Sequence, residues 1–213
     1  MSRAGIPIAY SSGFNPHPRI SYANASPTGA ASEAEYLEIG VLRECDPDVI
    51  RRDLDEALPD GLDVVDVVVA APGALADRLE AGAWTITLAQ VALADAHAAV
   101  EQFLAHASVE VERMTKKGLR TFDCRAAVVS LAARAGRVDD QECAILDVVV
   151  RHGTPAVRPD DILAGLREIA GLVAPVPPLQ TRLAQGPLDA ETGRVGDPLG
   201  HDRDATATPQ GDR

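Results

Sequence analysis

Hydrophobic and polar positions alternate in short runs separated by amphipathic stretches, a pattern that predicts strands and helices in turn. Residues 19–23 (RISYA) and 36–42 (YLEIGVL) read as two strands, joined by the small, turn-forming run NASPTGAASEAE. In DPDVIRRDLDEALPDG, Asp46 can cap a helix and Pro47 suits its first turn. Ile50, Leu54, Ala57 and Leu58 share one face, and Pro59 and Gly61 end the run. LDVVDVVVA (62–70) predicts a strand, its valines suited to a sheet interior.

A loop at Pro72–Gly73 and a short helix through Leu75 and Leu79 lead to a second set of elements. WTITLA (84–89) alternates as a strand does. DAHAAVEQFLAH (95–106) is amphipathic, with Ala96, Val100, Phe103 and Leu104 inward. VEVERM (109–114) is a strand closed by the turn TKKGLR. RAAVVSLAAR (125–134) and CAILDVVVR (143–151) predict a hairpin around the polar turn AGRVDDQ. PDDILAGLREIAG (159–171) predicts a helix that buries Ile162, Leu163, Leu166, Ile169 and Ala170.

The order is therefore β-β-α-β, then β-α-β-β-β-α. It predicts an α+β protein of two ferredoxin-like (split β-α-β) units with antiparallel sheets, over residues 1–72 and 82–185. The first unit is incomplete. It opens on a helix-ending signal, Gly5 then Pro7, with no helix before it, which predicts a missing strand and helix upstream. VPPLQTRLAQG reads as a last strand or an extended docking segment. Residues 186–213 are rich in Pro, Gly and Asp without apolar periodicity and are expected to form a disordered tail.

Charge narrows the function classes. The net charge is −12, which argues against DNA and other general phosphate-backbone partners. No apolar run approaches a membrane span and no signal-peptide design is present, so a cytoplasmic protein with no membrane partner is expected. Cys45, Cys124 and Cys143 lack the spacing of a zinc or iron–sulfur site and read as small hydrophobes in a reducing compartment.

The candidate site is the loop Tyr10, Ser11, Gly13, Phe14, Pro16, His17, Pro18, Arg19 and Ser21. Gly13 permits a tight bend, and Pro16 and Pro18 restrict the backbone on both sides of His17. A histidine so held, with Arg19 beside it, suits gripping a phosphate or carboxylate, or serving as a general base. Bracing of the loop by its own hydrogen bonds is the structural alternative. Glu33, Glu35 and Glu38 form an acidic run that reads as a solvated face; a metal site with His17 is the less specific alternative. Lys116, Lys117, Arg120 and Arg125 are the dense basic cluster of an acidic chain. They are expected either as a solvated turn or as a patch for RNA phosphate or an acidic partner. No catalytic residue, metal ligand or phosphate loop emerges from linear spacing.

The string RAGIPIAYSSGFNPHPRISYA resembles the opening signature of the radical-SAM-linked protein family, bacterial proteins of unknown function encoded beside or fused to a radical SAM enzyme. The residues that carry the resemblance are Arg3, Gly5, Pro7, Tyr10, Ser11, Gly13, Phe14, Pro16, His17, Pro18, Arg19 and Ser21. Pro27, Gly29, Ser32, Glu35–Tyr36, KKGLRTFDCR and TRLAQGPLDAETGRVGDPL extend it over most of the chain. Members normally carry about thirty residues ahead of the signature, which agrees with the missing front end.

The resemblance implies an accessory protein that positions a substrate or partner for a radical SAM protein. S-adenosylmethionine and the iron–sulfur cluster would belong to that partner, and no cofactor to this chain. The alternatives are an RNA-binding module in tRNA or rRNA modification, since relatives are often encoded near RNA-processing genes, and a free-standing enzyme using His17. Low aromatic content, 3%, weighs against base stacking.

Overall fold

A computed structural model describes residues 3–115 and 118–207. Its strands are β1 (Ile20–Ala23), β2 (Ala31–Ser32), β3 (Tyr36–Ile39), β4 (Ala81–Leu88), β5 (Glu110–Thr115), β6 (Gly118–Asp123), β7 (Val128–Val138), β8 (Gln141–Arg151) and β9 (Leu179–Gly186). Its helices are α1 (Pro47–Ala57), α2 (Leu75–Arg78), α3 (Leu93–Ala105), α4 (Pro159–Ala170) and α5 (Gly200–Ala207), with a 3-10 turn at Arg125–Ala127. The chain forms two compact units, neither contiguous. One is Met1–Ala25, Tyr36–Asp77 and Pro198–Arg213, the other Ser26–Glu35 and Arg78–Asp197.

In the second unit, β4-α3-β7-β8-α4-β9 places its strands in the order β9-β4-β8-β7, every neighbouring pair antiparallel. Two-residue β2 adds to the β9 edge in parallel, pairing Ala31 with Thr181 and Ser32 with Arg182. Strand alternation sends Trp84, Ile86 and Leu88, with Leu146, Val148 and Val150 of β8, to the face that α3 and α4 cover. Phe103 of α3 and Ile162 and Leu166 of α4 close that core. Leu104, expected inward, is exposed, and Ala99 takes its place. Gly171 caps α4 in the left-handed conformation that spares glycine a steric penalty.

Three readings of this unit change. The run AGRVDDQ is mostly strand; only Asp139 and Asp140 turn, both at positive φ, as a two-residue hairpin requires. Gly118–Arg120, expected within the turn TKKGLR, open strand β6, which pairs with β5 from Thr115–Gly118 to Glu110–Asp123. Residues 187–197, expected as disordered tail, fold back: Leu188 bridges Val195, and the Asp189 carboxylate accepts from the Glu191 and Thr192 amides.

The first unit departs further from expectation. β1 and β3 form an antiparallel pair with Ile20 opposite Ile39 and Tyr22 opposite Leu37. The Asp46 side chain accepts from Asp48 N–H at the start of α1, and the helix buries Ile50 and Leu54. Residues 62–70, expected as a strand, run without helix, turn or bend and join no sheet. β-propensity requires a neighbour to satisfy the ladder, and no described strand supplies one. The first unit thus shows a two-stranded ribbon where an incomplete ferredoxin-like sheet was expected. Residues 200–207 form α5, where a disordered tail was expected. Asp202 of α5 accepts from Ala71 N–H at 2.9 Å, and Arg203 pairs with Asp66. Residues 208–213 of that tail lie outside the described residues.

Candidate functional site

The proline-rich loop extends the β1–β3 ribbon. Ala9 N–H donates to Gly40 O (2.7 Å), Arg19 N–H to Ala9 O (2.8 Å) and Gly40 N–H to Arg19 O (2.8 Å). Ile8 bridges Val41 and Tyr10 bridges Pro18. Above that bridge the loop closes on itself. Ser11 N–H donates to His17 O at 2.9 Å, and the Ser11 hydroxyl accepts from His17 N–H at 3.0 Å. Gly13 sits at φ 138°, a conformation L side chains rarely adopt.

The bracing uses backbone and one serine, so the larger side chains are spared. Every residue from Tyr10 to Arg19 is exposed, and Phe14 at the tip is fully so. Neither the His17 imidazole nor the Arg19 guanidinium has a hydrogen-bond or ion-pair partner among the described residues. Alternation sorts the neighbours. His17, Arg19 and Ser21 lie on one face of the ribbon; Tyr10, Pro18, Ile20 and Tyr22 lie on the other, beside Leu37 and Ile39. Arg19 lies over Gly40, where a Cβ would come within 3.0 Å of the arginine Cβ. Residues 1–32 carry no Asp or Glu, so this loop is a cationic segment in an acidic chain.

Of the basic cluster, only Arg120 and Arg125 are among the described residues. Lys116 and Lys117 lie outside the described residues. Arg120 is exposed on β6, while Arg125 lies past the strand's other end, in the 3-10 turn Arg125–Ala127. Arg125 turns to Val128 O at 3.3 Å, and its buried Nε has no partner among the described residues.

The acidic run divides too, because Glu35 is not a solvated bystander. It pairs with Arg182 of β9, whose side chain is 1% exposed. The same guanidinium reaches the Ser32 hydroxyl at 3.2 Å and Gln185 Oε1 at 3.5 Å, and stacks 5.3 Å from the Trp84 ring centre. Gln185 in turn donates to Ala34 O at 2.6 Å. Burial alone would raise the Glu35 carboxyl; the Ser32 hydroxyl, Arg182 and the Ser26 amide outweigh it and hold it below its ordinary value. Beside this network the His152 Nδ1 meets Leu79 O at 2.7 Å, and burial lowers that imidazole's pKa.

Linear spacing could not have found this constellation. Its only trace was a cation at an inward-alternating position of the TRLAQG strand.

Two clefts lie outside the proline-rich loop. One of about 660 Å³ beside α1 is lined by Arg3, Asp53, Glu56, Leu58 and Pro59. The other, about 410 Å³, lies at the start of α3 against Gly136, Arg137 and Cys143. Cys124 is buried, and burial with Asp123 and Asp161 nearby pushes its thiol up to about 12, far from a nucleophile's range. Among the described residues no three His, Cys, Asp or Glu side chains converge as metal ligands.

Residues 1–159 match the family model for an uncharacterized protein conserved in bacteria, DUF2344. The chain belongs to the DUF2344 family. The matched span holds the whole His17 loop, Glu35 and Trp84, but ends before Arg182. The Glu35–Arg182 pair therefore joins a DUF2344 residue to a strand beyond the matched region. No curated protein matches the chain.

Proposed function

We propose that this DUF2344 protein is a cytoplasmic accessory protein that docks onto a radical SAM enzyme through the Tyr10–Arg19 loop. The observation that carries the reading is the contrast at Phe14: a fully exposed aromatic ring on a loop whose backbone is already braced. An exposed ring held in advance loses little conformational freedom on binding, and aromatic anchors dominate interface energies. His17 and Arg19, uncommitted on one face, would supply polar rim contacts. Tyr10 and Tyr22 would widen the apolar footprint. We read the second unit as a ferredoxin-like scaffold, in keeping with its β-α-β-β-α-β order and its antiparallel β9-β4-β8-β7 sheet. S-adenosylmethionine and an iron–sulfur cluster would be held by the partner. The enzyme reading has least support, since His17 meets no carboxylate and sits in no enclosed site.

RNA binding has gained one argument. Three of the seven aromatic residues, Tyr10, Phe14 and Tyr22, are exposed, and stacking needs such rings. The test uses the full chain with the radical SAM protein of its host in titration calorimetry, and a single-stranded RNA in parallel at low salt. Docking predicts binding of the protein, weakened about tenfold or more by Phe14→Ala. No binding, or binding unmoved by Phe14→Ala and His17→Ala, overturns the proposal. RNA binding lost on Phe14→Ala, with no protein bound, replaces it with the RNA reading.

A further inference from the structure

Arg19 is held in a way the rest of the exposed loop is not. Gly40 N–H donates to Arg19 O at 2.8 Å, and a Cβ on Gly40 would stand 3.0 Å from the arginine Cβ and 3.4 Å from its Cδ. Gly40 does not have a positive φ, so its backbone does not require glycine; the arginine stem does. A Cβ is fixed by its own backbone and cannot rotate away. The bare face of Gly40 therefore gives the stem a seat, and a seated stem has less rotamer freedom to lose when a partner arrives.

The charge on that stem is unclaimed. Among the described residues the guanidinium has no hydrogen-bond or ion-pair partner, although Glu38 lies diagonal to it on the same face of the ribbon through the Ser21–Glu38 pair. Residues 1–32 hold none of the chain's 32 acidic residues, so the loop carries cation without counter-ion. Arg19 also stands on the polar face. Ile20, Tyr22, Leu37 and Ile39 line the opposite one, so an element packed against the apolar side does not reach it.

Resting on the docking reading above, we propose that the protein surface met by this loop is acidic, and that one of its carboxylates takes the Arg19 guanidinium in a two-bond fork while Phe14 anchors beside it. The planar donors of a guanidinium match the two oxygens of a carboxylate, which an ammonium does not. The net charge of −12 repels an acidic surface from most approaches, and the acid-free segment favours an approach through this loop. Charge of this kind sets the orientation and rate of encounter as well as the affinity. Gly40 is the positioning residue, because it decides where the Arg19 stem lies.

The experiment titrates the full chain with the radical SAM protein of its host at about 50 and about 300 mM KCl, with single-stranded RNA in parallel. Wild-type binding should weaken about threefold or more between the two salts. Arg19→Glu should weaken it about tenfold or more at low salt and remove most of the salt response. Arg19→Lys should keep the salt response and still bind about threefold weaker, having lost the fork. Gly40→Ala should weaken binding and flatten the salt response with Arg19 still present; partial unfolding would instead lower the stoichiometry and leave Kd and its salt response as in wild type. Phe14-dependent binding that ignores salt, or that Arg19→Glu or Arg19→Lys leaves unchanged, overturns this proposal while docking itself stands. Absence of any protein binding removes both. RNA binding that Arg19→Glu weakens, with no protein bound, assigns the charge to phosphate and overturns the acidic partner.

Discussion

Replacing Glu35 by Ala tests whether the buried guanidinium of Arg182 depends on its carboxylate. Arg182 is 1% exposed and Glu35 43%, so the pair is half dry. Removing one partner of a fully buried pair costs about 3–5 kcal/mol, whereas exposed pairs contribute about 0–1. Glu35 lies between these limits, and the neutral acceptors Ser32 and Gln185 stay in reach, which places the loss at about 2–3 kcal/mol. With a urea m-value of about 2 kcal/mol/M, the midpoint should fall by about 1–1.5 M. The protein's single tryptophan is Trp84, stacked on this guanidinium, so its fluorescence reports the transition at the site itself. Arg182→Met keeps an apolar stem against Trp84. Combined with Glu35→Ala, it should cost less than the two single losses added, by about 1 kcal/mol or more.

The pH dependence has a definite sign. The folded value of the Glu35 carboxyl lies below its ordinary one, so its contribution is fully present above the unfolded value and fades as pH falls through the folded one. Glu35→Gln should therefore differ from wild type at neutral pH and converge on it under acid conditions. A midpoint for Glu35→Ala within about 0.2 M of wild type, or full additivity with Arg182→Met, would refute the reasoning.

Arg113→Ala exposes a second dependence. Arg113 stacks on Phe122 and pairs with Asp161, itself 5% exposed, so its loss should cost about 2–4 kcal/mol in urea unfolding. Burial raises the Asp161 carboxyl despite the Arg158 amide and Arg113, so the native chain holds that proton longer than the unfolded one. The penalty is present at neutral pH and eases as pH falls through the folded value; the Arg113→Ala deficit should thus be smaller near about pH 5 than near about pH 7. Gly165→Ala would set a Cβ within 2.9 Å of Cys124 and Phe103 and 3.1 Å of Val109. Overpacking of about 1–3 kcal/mol should outweigh a helix-propensity gain of about 1, and a thermal melt that does not fall would count against that packing.

The second unit was largely legible because its hydrophobic periods agree with its partners. WTITLA alternates, Ile162 and Leu166 repeat at helical spacing, and the hairpin strands are long enough to outvote a single misread turn. The basic loop misled because Lys116, Lys117 and Gly118 are turn residues by composition, yet LRTFD beyond them continues as strand opposite β5. The tail misled in the reverse direction. Its Pro, Gly and Asp content argues against a core, but Asp189 and Asp202 are acceptors for specific backbone amides, and such pairings leave no periodic mark.

The His17 loop and residues 62–70 show where local reading stops for one shared reason. For the loop, prolines and glycine dictate a stiff exposed bend from within, so its shape was visible while its ligand was not. For 62–70, valines prescribe a strand, but a strand is completed only by another strand, and that neighbour lies outside the segment. Both are surfaces whose chemistry is set locally and whose purpose is set by what arrives. Phe14, fully exposed, is accordingly a position where a substitution should leave the chain's melting unchanged and still alter what the protein assembles with.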